Sequence, residues 1–338
     1  MKNRTHANRL KAFGSIIVAL LCVMAGLGFQ EPDEFQRIRV ESVLVTVPTI
    51  VSDSRGRLLP GLKADSFRLY EDDIQVPISI FLTSEDPLNI ALMLDTSVST
   101  TTVMGKIKKA ARKFLLQLRP QDLATVVAFG SEIQVLCPFS SDPRELRDAI
   151  KGANAGGSMT LMRDAIDKVI RQRLRPATGR KAVVILTDGQ DHGSRISAPD
   201  LLDVVAAAGI SIYSIFYNVD PRELMEELAG ISSRIPKETA DGKEGPYSAW
   251  HEREELAAQY LEKISELSAG RFFRSKVTKL DDAFKQISEE LRSQYLIGFY
   301  PDKSKLDGAT HTLRVSVSIP GAVVRSRYSY RAAAKTEH

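Results

Sequence analysis

Two stretches of the chain carry residue types that could do chemistry. In the first, the apolar run Ile90-Ala91-Leu92-Met93-Leu94 ends abruptly in Asp95, and hydroxyls follow at alternate positions, Ser97 and Ser99. One carboxylate and two hydroxyl oxygens on a short turn are hard donors. They suit Mg²⁺, which keeps several waters and takes one or two carboxylates from the protein. In the second, Ala182-Val183-Val184-Ile185-Leu186-Thr187 ends in Asp188, followed by Gly189. Short, near-continuous apolar runs read as strands buried on both faces in the middle of a parallel sheet. Ligands of open α/β sheets bind outside the C-terminal ends of such strands. Taken singly, either aspartate could do no more than end a strand or cap a helix.

The elements that must position these residues follow an α/β alternation from Asn89 onward. It predicts a doubly wound, mostly parallel, Rossmann-like sheet. Apolar residues at helical spacing (Ile107, Ala110, Ala111, Phe114, Leu115, Leu118) predict a helix over 106–118, stopped by Pro120. Strands over 123–129 and 133–139 form a hairpin across Gly130-Ser131. A helix over 143–151 then leads into the Gly-rich loop 152–160, and a helix covers 161–173. A helix over 198–208 and a buried strand over 210–217 come after Asp188. Residues 218–252 interrupt the pattern with charge, glycine and proline and no periodicity; a long irregular segment in a compact domain is commonly functional. Because it follows the C-terminal end of a parallel strand, we expect it to border the metal face and shape partner choice. A helix over 254–268, a strand over 271–274 and a helix over 280–292 complete this part.

The flanks read as β. Residues 31–84 alternate without helical periodicity, and the tail from Tyr295 holds three strands, 295–300, 310–319 and 323–330. We expect the two flanks to pair into one small antiparallel β module built from both chain ends. The expected organisation is a leader over 1–28, an N-terminal β module over 29–86, the α/β domain over 87–293 with its 218–252 insertion, and C-terminal strands over 294–333.

Residues 1–28 join Lys2, Arg4, Arg9 and Lys11 to an apolar run and small residues at Ala25, Gly26 and Gly28, the pattern of a secretory signal. An uncleaved anchor is the alternative, although the run is short for a spanning helix. The expected location is secreted or periplasmic. The formal charge of +4 resides wholly in this leader: removing its four basic residues from 46 leaves 42, against 42 acidic residues. A near-neutral mature chain argues against nucleic-acid partners and against a membrane-surface role. Cys22 lies in the leader behind Leu20-Leu21, unlike a lipoprotein signal, and Cys137 alone cannot form an internal disulfide. A buried, inert thiol is expected there.

Three pieces now sit at or beside the C-terminal ends of buried strands: Asp95-Thr96-Ser97-Val98-Ser99, Gly156-Gly157-Ser158-Met159-Thr160, and Thr187-Asp188-Gly189. In this order they resemble the metal-ion-dependent adhesion site of the von Willebrand factor type A (VWA) domain family. The flanking stretches GLKADSFRLYEDD and LRSQYLIGFYPD resemble the secreted bacterial VWFA-related proteins of acidobacterial type. The resemblance covers about residues 87–293. It implies that Ser97 and Ser99 ligate a divalent cation directly, that Thr160 does so directly or through water, and that Asp95 and Asp188 act mostly through water. The cation would be Mg²⁺, with Mn²⁺ or Ca²⁺ as alternatives. A carboxylate from an Asp or Glu of a protein partner would complete the shell, since neutral hydroxyls leave the ion's charge uncompensated. Met159 departs from the family, where a glycine commonly precedes this threonine; Ser158 is the reserve candidate for that ligand.

Enzyme readings fare worse. A haloacid-dehalogenase phosphatase needs a second aspartate where Ser97 stands, and serine cannot transfer protons near neutral pH. The stretch 96–102 has no glycine for a dinucleotide turn, no Walker A run is present, and Ser97 and Ser99 lack the flanking glycines of a hydrolase elbow. The expected function is therefore divalent-cation-dependent protein binding or adhesion without catalysis. The alternative is a structural subunit of an envelope complex whose metal staples loops; a metal-dependent hydrolase comes last.

Overall fold

The computed structural model describes residues 43–218 and 248–334. Four strands come first: β1 (Val45–Ser52), β2 (Phe67–Glu71), β3 (Ile74–Val76) and β4 (Ile80–Leu82). The α/β part follows with β5 (Leu88–Asp95), α1 (Met104–Leu115), β6 (Leu123–Phe129), β7 (Ile133–Ser140), α2 (Pro143–Gly152), α3 (Met162–Val169) and β8 (Arg180–Thr187). It continues through α4 (Ala198–Ala208), β9 (Ser211–Tyr217), α5 (Ser248–Leu267), β10 (Phe272–Ser275) and α6 (Leu280–Ser293). The tail holds β11 (Tyr295–Phe299), β12 (Thr310–Val317), β13 (Val323–Ser326) and β14 (Ser329–Arg331).

The central sheet has six strands in the order β10-β9-β8-β5-β6-β7, parallel throughout except for the β6–β7 hairpin. This is the mostly parallel, doubly wound sheet that the alternation predicts. Every residue of β5 is buried because helices cover both faces. Leu92, Leu94, Val184 and Leu186 pack with α1, α2 and α6 on one side. Met93, Val127 and Ile185 pack with α3, α4 and α5 on the other. Among the described residues, no helix is long and apolar enough to cross a membrane.

The β strands from both chain flanks form two four-stranded sheets, β13-β1-β11-β4 and β14-β12-β2-β3. N-terminal and C-terminal strands interleave in each, with Val47 opposite Ile297 and Leu69 opposite Val315. Their inner faces share one core that includes Val47, Phe67, Leu69, Ile297 and Phe299. The antiparallel module from both chain ends is thus present.

Two details differ from the sequence reading. The helix expected over 161–173 ends at Val169 and runs on as a wider π turn, Ile170–Leu174. The tail strand expected over 323–330 breaks at Arg327, so β13 joins one sheet and β14 the other. The cause is the Arg327 side chain, which is buried and donates through Nη1 to the Ala206 carbonyl at 3.1 Å instead of facing solvent as an alternating strand residue would. Asp164, in the first turn of α3, accepts from the backbone N–H groups of Arg195 and Ile196. Most of the segment expected over 218–252, and with it the expected place at the metal face, falls on residues 219–247, outside the described residues; its last residues, 248–252, already belong to α5, which begins at Ser248 and not at 254.

The module docks against the N-terminal ends of the parallel strands. Arg180, at the start of β8, donates to the carbonyls of Ser84, Asp86 and Leu291. Gln294 Nε2 donates to Ser211 Oγ at the start of β9. Gly209 closes α4 at φ 61°, and a Cβ there would lie 2.2 Å from Thr46 Oγ1 and 2.8 Å from the Thr46 carbonyl. A left-handed backbone and a backbone obstacle act together, so Gly209→Ala is expected to destabilise the protein by about 2 kcal/mol or more. Urea unfolding of the two proteins side by side measures it.

Candidate metal centre

The site lies at the opposite end of the sheet. Asp95 closes β5 and is fully buried. Its Oδ1 accepts from the Ser97 amide at 2.9 Å and from Ser97 Oγ at 2.5 Å, the aspartate-turn geometry that a short carboxylate favours two residues upstream of an amide. Ser97 Oγ lies 2.9 Å from Ser99 Oγ. A short helical turn, Val98–Thr100, begins directly after Ser97, and the Thr100 hydroxyl donates to the Ser97 carbonyl at 2.9 Å. The alternate hydroxyls of the sequence are thereby brought to one corner.

The other two loops are laced to this one through the backbone. The Gly156 and Gly157 amides donate to the Thr96 carbonyl, and the Val98 amide donates to the Gly157 carbonyl. Gly157 needs its lack of a side chain: a Cβ would come within 2.8 Å of the Ser131 amide nitrogen. The loop closes as the Leu161 amide donates to Gly130 and the His192 amide donates to the Thr160 carbonyl. Thr160 is 3% exposed, whereas Ser158 and Met159 face solvent. The Met159 amide donates to Ser131 Oγ at 3.1 Å, and its side chain lies over Gly193. Met159 is accommodated because position 193 has no Cβ.

Sequence reasoning missed Thr187. Its hydroxyl donates to Asp95 Oδ2 at 2.7 Å and accepts from the Gly189 amide at 2.9 Å, tying the Asp95 carboxylate to the backbone just beyond β8. The one available signal was its place directly before Asp188. His192 is a loop histidine whose ring lies 2.7 Å from Gln190 Oε1. Cys137 is a free, buried thiol, and burial pushes its pKa up.

The electrostatics point to a cation. Burial, and next the charge of Asp188, hold the Asp95 carboxyl well above the ordinary carboxylate range. Burial also raises Asp188, an effect partly offset by the Ser99 hydroxyl beside it. Asp188 Oδ1 accepts from the Gln190 amide at 3.2 Å, but the buried Oδ2 has no hydrogen-bond partner among the described residues. Two buried carboxylates without a counter-charge are unfavourable unless a positive ion joins them. Among the described residues, no group of three His, Cys, Asp or Glu could hold a metal, so an ion at this corner has to draw on hydroxyls. The donor set of two carboxylates and nearby hydroxyls suits a hard, oxygen-seeking divalent cation.

Residues 89–244 match the family described as von Willebrand factor type A domain. The chain carries a type A domain. Its fold is similar to a von Willebrand factor type A protein from Catenulispora acidiphila (12% identity, 88% of this chain and 76% of that one, TM-score 0.46). It is also similar to the vWF domain of the type V pili tip protein Mfa5 from Porphyromonas gingivalis (12% identity, 60% and 94%, TM-score 0.43). A third similar structure is proximal thread matrix protein 1 from the mussel byssus with a zinc-occupied MIDAS motif (15% identity, 63% and 47%, TM-score 0.45). No curated protein is a significant match to the chain. Type A domains use a divalent cation at their metal-ion-dependent adhesion site and serve in general as metal-dependent interaction modules.

Proposed function

We propose that this type A domain is a secreted or periplasmic protein-binding module that captures an Asp or Glu carboxylate of a partner through a divalent cation, without catalysis. The observation that carries the reading is the corner itself: Asp95 and Asp188 are buried together, Asp188 Oδ2 lacks a partner among the described residues, and the Ser97 and Ser99 hydroxyls lie beside them. Ser97, Ser99 and Thr160 would hold the ion, with Asp95 and Asp188 supplying negative charge behind them. The ion, when bound, acts as a Lewis acid toward an incoming carboxylate. Asp95 keeps Ser97 Oγ oriented through its hydrogen bond, and Thr187 keeps Asp95 oriented in turn. The β module docks at the far end of the sheet, away from this corner. Mg²⁺ is the ion we favour, because the donors are hard oxygens, few of them charged.

Capture of a partner from envelope extract tests the function. Wild type with Mg²⁺ should retain a protein that EDTA releases and that Asp95→Ala fails to retain while remaining folded. If Asp95→Ala instead lowers thermal stability and loses no partner, the metal is a structural staple. Within the site, burial favours Thr160 over Ser158 as the loop ligand. Thr160→Ala is expected to weaken Mn²⁺ binding about 10–100-fold, the usual range for disturbing a metal site's supporting groups. Ser158→Ala should leave it unchanged; calorimetric titration of both variants decides between them.

A further inference from the structure

A tyrosine beneath the metal corner has no role in the arrangement described so far. Tyr217 is the last residue of β9 and is completely buried. Its hydroxyl has no hydrogen-bond partner among the described residues. A buried hydroxyl left unpaired costs stability, and phenylalanine would fill the same space without that cost. The position therefore calls for an explanation outside packing.

The strand register supplies one. Thr187 pairs with Phe216, so Asp188 and Tyr217 are the next residues along the two neighbouring strands. Leu186 and Ile215, two residues earlier in each chain segment, pack into the same core as Tyr217. With the period of two along a strand, Asp188 and Tyr217 fall on the same side of the sheet. Two buried polar atoms without partners among the described residues, Asp188 Oδ2 and the Tyr217 hydroxyl, thus belong to adjacent positions on one face. The phenol also feels both carboxylates: after burial, the charges of Asp95 and Asp188 hold it firmly protonated, which keeps it a donor.

We propose that Tyr217 is a positioning residue of the metal centre, its hydroxyl donating to Asp188 Oδ2 through one buried water and so fixing the carboxylate that faces the cation. Two polar partners are the minimum that holds a buried water, and these two atoms supply them. The inference rests on the metal-binding reading above and adds to it a residue outside the Asp95, Ser97, Ser99, Thr160 and Asp188 set.

The test uses the full chain and two readouts, Mn²⁺ affinity by calorimetry and the melting temperature in EDTA. Tyr217→Phe should weaken Mn²⁺ binding about 10–100-fold, as loss of an outer-shell partner does, while the melting temperature in EDTA stays level or rises. An unchanged Mn²⁺ affinity overturns the inference, and so does a fall in the EDTA melting temperature, which would make the hydroxyl a structural group. Asp188→Asn separates the positioning role from the metal site itself. If it abolishes Mn²⁺ binding while Tyr217→Phe does not, the positioning role alone fails. If wild type takes up no Mn²⁺, the metal reading fails and this inference with it.

Discussion

Asp188→Asn is expected to abolish divalent-cation binding and, in EDTA, to raise the melting temperature of the protein. Both effects come from the same feature. Asp95 and Asp188 are buried side by side, and in each case burial is the largest influence on the carboxyl, raising its pKa. The metal-free native state therefore binds protons that the unfolded chain has already released. By linkage, the contribution of this pair to stability is greatest at acidic pH and declines as pH rises from the ordinary carboxylate range through the raised values. A tenfold difference in proton affinity between the folded and unfolded chain corresponds to about 1.4 kcal/mol. Removing one of the two like charges should recover on the order of 1–3 kcal/mol at about pH 8, and the decline between about pH 5 and about pH 8 should flatten. In wild type, a cation at about a hundred times its Kd should restore roughly 2.7 kcal/mol; in the variant it should restore nothing. Thermal melts at both pH values, with EDTA and with Mn²⁺, check all of these signs. A variant that melts lower than wild type in EDTA at about pH 8 would contradict the account.

The largest loss of stability is expected at Arg180, far from the metal. Its side chain is buried at the seam between sheet and β module, where Nη1 donates to the Leu291 carbonyl at 2.6 Å and Nη2 to the carbonyls of Ser84 and Asp86. Burial pulls the guanidinium pKa down only to about 10, so it stays charged at any ordinary pH. Arg180→Ala leaves these carbonyls without donors. At roughly 1–3 kcal/mol for each unsatisfied buried group, less some rehydration, the loss should be about 3–5 kcal/mol. Arg180→Lys should rescue little, because an ammonium cannot reach three carbonyls as the planar fork does. Denaturant unfolding gives the magnitude. Mn²⁺ affinity should be untouched in the folded variant, since Arg180 begins β8 and Asp188 follows its end.

The contrast between these two positions shows what the chain made legible. Asp95 and Asp188 stood out because apolar strands buried on both faces leave few polar residues, and a carboxylate ending such a run is conspicuous. The structure brings both together with Ser97 and Ser99, and laces the Thr160 loop to them through Gly157 and His192. The alternating pattern likewise revealed the parallel sheet, since its signal is local. Arg180 carried no comparable mark: before an apolar strand it reads as an ordinary solvated cation, and only the return of the distant Leu291 carbonyl makes it a buried anchor. Arg327 was hidden for the same reason, and with it the break between β13 and β14. Tyr217 and Thr187 looked like common strand residues until the register set them beside Asp188 and Asp95.

The placement of the β module has a mechanical meaning. The metal corner and the module sit at opposite ends of strands such as β5 and β8, each eight residues long, or about 25 Å. A partner held at the corner and pulled away from the module would load the central sheet along its strands. The ladder bonds between strands lie across that direction, so no single bond is peeled before its neighbours. The tension passes in series to the seam, whose contacts include Arg180 on three carbonyls, Gln294 on Ser211, Arg327 on Ala206 and Thr46 against Gly209.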